Sequence, residues 1–165
     1  MRSRIIKAVS RASSLLVLLL LCSCGNTLYH NFCNVDDGWG GGDTLTFEIS
    51  NPVVGGEACN VYVELRTAPD YPYRKLWLHT SLCRSNDKKM KSDTLCCEIF
   101  DSLGVHKGSS AGLFYQAQYE LGQIVLAAAD TLTVSIAHIM DGDVNGVRSV
   151  GVRVERCGQH LSSGN

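Results

Sequence analysis

The chain has 165 residues, of which 45% are hydrophobic and 19% charged, with a mean hydropathy near zero. That length fits one domain with or without a targeting segment, and the composition excludes both a disordered chain and a multi-span membrane protein. With 15 Lys and Arg against 16 Asp and Glu, the net charge of −1 carries no basic excess of the kind nucleic-acid binding requires, so no nucleic acid is expected as a partner.

The first elements are a targeting signal. Arg2, Arg4, Lys7 and Arg11 stand with no acid among them, and Leu15 to Leu21 is an unbroken apolar run. The run is far shorter than the roughly 20 residues that cross hydrocarbon, so it reads as the core of an export signal and not as a membrane span. Leu21-Cys22-Ser23-Cys24 resembles a bacterial lipobox, with a large aliphatic three places before a Cys and a small residue just before it. On that resemblance residues 1–23 are removed, and Cys24 carries the lipid and becomes the first mature residue. Cys22 is the weaker candidate because bulky Leu21 precedes it. The competing reading is an ordinary signal peptide cut near Ser23. Removal of residues 1–23 takes away four of the 15 cations and none of the 16 acids, so the mature chain is acidic and the lipid, not a basic patch, is expected to supply membrane contact. The expected location is the bacterial cell envelope, with the domain in the periplasm.

Residues 24–42 are polar and end in Gly38-Trp39-Gly40-Gly41-Gly42, the composition of a flexible stem. Trp39 is the exception and is expected to dock on the domain that follows. From Asp43 the apolar period is two. Leu45, Phe47 and Ile49 alternate with Thr44, Thr46 and Glu48, and Val61, Val63 and Leu65 alternate with Tyr62, Glu64 and Arg66. Leu76, Leu78 and Leu82 oppose Trp77, His79 and Cys83. The pattern continues through Leu95, Cys97 and Ile99, then Leu132, Val134 and Ile136, and finally Val150, Val152 and Val154. Phe114 to Ala129 is read as a further strand, although Ala127-Ala128-Ala129 favours helix locally. Turn residues separate the runs at Asn51-Pro52, Ala68-Pro69-Asp70, Ser85-Asn86-Asp87 and Asp141 to Gly146. Many short strands in one domain predict an all-β fold, a single antiparallel β-sandwich over residues 43–157 with a polar tail at 158–165.

Six cysteines remain after lipidation: Cys33, Cys59, Cys83, Cys96, Cys97 and Cys157. An exported chain permits disulfides and six thiols permit fifteen pairings, while buried free thiols are the alternative. Cys96 and Cys97 are expected on opposite faces of a strand.

In order, these motifs resemble the gliding-motility lipoprotein family GldH. The resemblance rests on Asp36-Asp37-Gly38-Trp39 after the lipobox, on the segment Val63 to Leu76 containing Arg66-Thr67 and Asp70-Tyr71-Pro72-Tyr73, on Asp93-Thr94-Leu95 with Glu98, and on the run Gly146 to Glu155. The extra cysteines and the Gly40-Gly41-Gly42 insertion depart from the family's pattern without touching those motifs. The resemblance implies a non-catalytic, lipid-anchored component of the gliding and type IX secretion machinery, acting through contacts with other envelope proteins.

Residues with chemistry to offer are few. Tyr71-Pro72-Tyr73 with Trp77 and Tyr62 forms a candidate exposed aromatic patch, of the residue types enriched at interface hot spots. The opposing reading has the tyrosines covering the sheet edge, and Tyr71-Pro72 is a bond that tolerates cis. Asp141, Asp143 and Asn145 match the first ligand positions of a calcium loop, but Val152 stands where a bidentate Glu is needed, so a polar turn is expected instead and no metal or cofactor is assigned. The five histidines are scattered, no nucleophile elbow or metalloprotease motif occurs, and His138 falls on an apolar face. No catalytic residue is assigned. A glycan-binding envelope lipoprotein, stacking sugars on Trp77, is the alternative function.

Overall fold

The computed structural model describes residues 26–35, 38–50, 56–85, 91–127 and 130–157. The signal segment with Cys24, the Asp36-Asp37 pair, Ala128-Ala129 and the tail lie outside the described residues. Among the described residues nine strands form two antiparallel sheets: β1 Thr27–Asn34, β2 Thr44–Ser50, β3 Glu57–Thr67, β4 Lys75–Arg84, β5 Lys91–Glu98, β6 Ser109–Ser110, β7 Tyr115–Leu126, β8 Thr131–His138 and β9 Val147–Arg156. One sheet has the order β1-β9-β3-β7-β6 and the other β2-β8-β4-β5. The expected all-β sandwich is therefore the fold.

The two-residue period explains the core. Val61, Val63, Leu65, Val150, Val152 and Val154 project from the five-stranded sheet, and Phe47, Ile49, Leu76, Leu78, Leu132, Val134 and Ile136 meet them from the other. Each sheet buries one face, the condition that makes two stacked sheets stable. Cys97 is buried and Cys96 half-exposed, on opposite faces as expected. Cys33, Cys83, Cys96, Cys97 and Cys157 are free thiols, so those five take no part in the pairings the sequence left open.

The flexible stem over residues 24–42 requires correction. Thr27–Asn34 is strand β1, paired along its length with β9, so the sandwich begins at Thr27 and not at Asp43. The sequence hides β1 for two reasons. A bulge between Thr27 and Tyr29 lets both Leu28 and Tyr29 pack on the core, which breaks the alternation. Phe32 then faces outward, where its ring lies across Gly151: a Cβ on Gly151 would stand 2.6 Å from that ring. A second bulge interrupts β7, where Gly122 takes a positive φ of 124° and Leu121 is skipped in the pairing with β3. That interruption is why Phe114 to Ala129 reads ambiguously; it is strand over Tyr115–Leu126.

Candidate functional site

Antiparallel pairing sorts the connections onto two ends of the sandwich. The start of β1 and β3, the ends of β4, β7 and β9, and the start of β5 and β8 share one end. The segments 35–43, 68–74, 99–114 and 139–146 share the other, called here the distal end. Most of the candidate residues lie there.

Trp39 is the keystone of the distal end. It is 1% exposed, its Nε1–H donates to the Asp43 carbonyl at 3.2 Å, and its backbone bridges Val144 in both directions. His138 meets its indole edge-on, at 5.1 Å between ring centres, and donates from Nε2 to the carbonyls of Trp39 and Gly40. His138 is thus a buried structural histidine. The turn Asp141 to Gly146 belongs to the same unit: Asp143 accepts the Gly41 N–H at 2.9 Å and Val144 is buried. Among the described residues no three His, Cys, Asp or Glu side chains converge as metal ligands.

The aromatic candidates separate. Tyr71 is buried at 3% exposure, against Gly146, so it is not part of an exposed patch. The turn that carries it is tied down by Ala68 N–H to Gly146 O at 2.7 Å and Tyr71 N–H to Ala68 O at 3.1 Å, which turns the ring inward. Its hydroxyl has no hydrogen-bond partner, and burial, then neighbouring Tyr73 and Cys97, push the phenol up from the ordinary tyrosine range. Pro72 is exposed, and the described residues contain no cis peptide, so the Tyr71-Pro72 bond is trans. Tyr73 at 42% and Trp77 at 41% do face solvent. Trp77 stands beside exposed Ile139, whose N–H donates to the Trp77 carbonyl at 3.0 Å.

Sequence reasoning missed two features. The first is the connection between β5 and β7, which holds Leu103, Val105 and Leu113 out in solvent on hydrogen-bonded turns. Asp101 accepts the N–H groups of Leu103 and Val105 at 2.8 and 2.9 Å, and the bond from Val105 is the main cause that holds its carboxyl below the usual carboxylate range. Ala111 N–H closes the next turn on Phe114 O. His106 anchors the connection to the body: Nε2 stands 2.9 Å from Thr67 Oγ1, Nδ1 accepts the Gly108 N–H, and the ring stacks on Tyr115 at 4.0 Å. Burial lowers its pKa from the ordinary histidine value. A run of exposed Leu and Val separated by Gly and Ser carries no period, so only the fold reveals it.

The second is a charged cluster on the outer face of the five-stranded sheet. Glu64 is 1% exposed, with His30 Nε2 at 2.7 Å, Gln116 Nε2 at 3.3 Å and Arg153 Nη1 at 3.5 Å from its carboxylate. Arg66 lies 3.6 Å above the Phe32 ring and donates to Gln116. Alternation assigns Glu64 to the polar face, and only the neighbours on β1, β7 and β9 bury it. The cluster borders an open groove of about 920 Å³ that also takes Glu98, Lys107, Gln118 and Tyr119. Lys107 holds the Glu98 carboxyl below its usual range through a 2.6 Å hydrogen bond. Tyr119 donates to the Glu98 carbonyl, and its buried phenol is pushed up. Trp77 does not line this groove.

The fold and these surfaces define an antiparallel β-sandwich domain with a tied-down tryptophan and several apolar side chains exposed at its distal end. The family model of the GldH lipoproteins matches residues 27–154, and the chain belongs to that family, lipoproteins associated with gliding motility and anchored to the membrane of the cell envelope. No curated protein matches the chain. Among solved structures it is similar to the Eiger TNF from S. frugiperda, at 10% identity and a TM-score of 0.38, covering 82% of this chain and 96% of that one. It is also similar to a family GH115 4-O-methyl-alpha-glucuronidase, BtGH115A, at 17% identity and a TM-score of 0.44, and to the Cry4Aa toxin from Bacillus thuringiensis, at 8% and 0.45. Those matches cover 80% and 81% of this chain but only 17% and 22% of the larger proteins. Likenesses at these scores carry no argument about ligand or activity.

Proposed function

We propose that this protein is a non-catalytic component of the gliding-motility and type IX secretion machinery, anchored by lipid on Cys24 with its domain in the periplasm, and that it binds other envelope proteins through its distal end. One observation carries the reading. Of the seven large apolar side chains left exposed among the described residues, six stand at or beside the distal end: Tyr73, Trp77, Leu103, Val105, Leu113 and Ile139. Exposed apolar groups gathered in one region are the mark of a contact surface. Here two of the turns that present them are fixed by hydrogen bonds, so binding orders little new chain. The test is a cross-linked pull-down of the tagged protein from native membranes with mass spectrometry. Recovery of motility or secretion subunits is expected. Recovery of glycan-uptake proteins alone overturns it in favour of a sugar-binding module, whose natural seat is the polar groove beside Glu64 and Gln116.

A further inference from the structure

The connection between anchor and domain is too short to be a tether. Asn26 is already fixed, since its carbonyl accepts the Arg156 N–H at 2.8 Å, and β1 starts at the next residue. Only two peptide steps separate Cys24 from Asn26, a reach of about 7 Å at full extension, comparable with the thickness of one headgroup layer. We infer that the sandwich stands directly on the bilayer, with the end that carries Asn26, Lys91, Val125 and Arg156 resting among lipid headgroups. This inference rests on the reading of Cys24 as the lipidated residue.

The chemistry of that end suits the contact. Lys91 and Arg156 are exposed there, and Val125 is 55% exposed, the one large apolar side chain left in solvent away from the distal end among the described residues. Arg84 braces it, donating from Nη1 to the Val125 carbonyl at 2.9 Å. Of the acids nearby, Asp130 is 3% exposed and accepts the Ala127 N–H, Glu155 is paired with Arg153 at 2.6 Å, and Asp93 and Glu120 are exposed beside Lys91. Asp43, Asp70, Asp101, Asp141 and Asp143 lie in the distal segments, away from the headgroups. Strands β3 and β7, of 11 and 12 residues, rise by about 3.3 Å per residue, so the distal apolar residues stand about 35 Å above the headgroups.

The experiment uses the full-length lipoprotein in vesicles of phosphatidylethanolamine and phosphatidylglycerol, with a photo-crosslinking amino acid at position 125 or at position 103. Mass spectrometry reads both the lipid adducts and the modification of the Cys24 peptide. Expected are diacylglyceryl on Cys24, a lipid adduct at position 125, and its loss to background at position 103. Lipid on Cys24 without an adduct at 125, or adducts at both positions, overturns the standing orientation and leaves the anchor intact. An unmodified Cys24 overturns both.

Discussion

The two ends of the sandwich are built by the same strands yet present opposite surfaces. Among the described residues, the end at Asn26 exposes Lys91 and Arg156 and a single large apolar side chain, Val125. The distal end spends its longer segments on two different tasks. One is internal: Trp39, Tyr71, Val144 and His138 seal the core there. The other is external, since Leu103, Val105 and Leu113 are held out where burial would have stabilised the fold. The difference teaches that Trp39 and Tyr71, conspicuous in the sequence, serve the seal, whereas the inconspicuous aliphatic residues beside them, with Tyr73 and Trp77, are left in solvent.

The seal is broken most severely at Trp39. Trp39→Ala removes a fully buried indole that ties the segment before β2 to the Asp141–Gly146 turn, and is expected to cost about 3–5 kcal/mol in urea unfolding. A loss below 1 kcal/mol would mean that the segment is not part of the core. The neighbouring tyrosines sharpen the contrast. Tyr71→Ala is expected to cost about 3–4 kcal/mol, whereas Tyr73→Ala changes stability by no more than about 0.5 kcal/mol. Tyr71→Phe discriminates further: its buried hydroxyl has no partner, so the variant should be as stable as the parent or slightly more so.

The smallest effect concerns the anchoring of the exposed connection. Burial depresses the His106 pKa from 6.5, which favours neutral imidazole in the folded state. Its contribution is therefore complete above about pH 6.5 and is lost as the pH falls through the lower folded value. Protonation also places a hydrogen on Nδ1, against the Gly108 N–H that it accepts. Thermal melts between pH 7 and pH 5 should show a shallower decline for His106→Gln than for the parent. Equal slopes would remove His106 from the account.

Much of this architecture is legible in the sequence. The alternation in β2, β3, β4, β8 and β9 predicts both sheets and their inner faces, because a half-buried strand cannot hide a period of two. A lone Trp among glycines predicts docking, and His138 on an apolar face predicts a structural histidine; both hold. What stayed hidden depends on contacts distant in sequence. β1 is masked by a bulge and by Phe32 turning outward onto Gly151, Tyr71 is drawn inward by Gly146, and Glu64 is buried by three other strands. No local pattern encodes those pairings.

The most direct test of the two-ended account compares pull-downs from native membranes for two variants of equal thermal stability. One carries Leu103→Ser with Leu113→Ser at the distal end, and the other carries Val125→Ser at the membrane end. The account predicts that the distal variant loses its protein partners while remaining in the membrane fraction, and that the Val125 variant keeps them. Retention of every partner by the distal variant, or their loss from the Val125 variant, would contradict it.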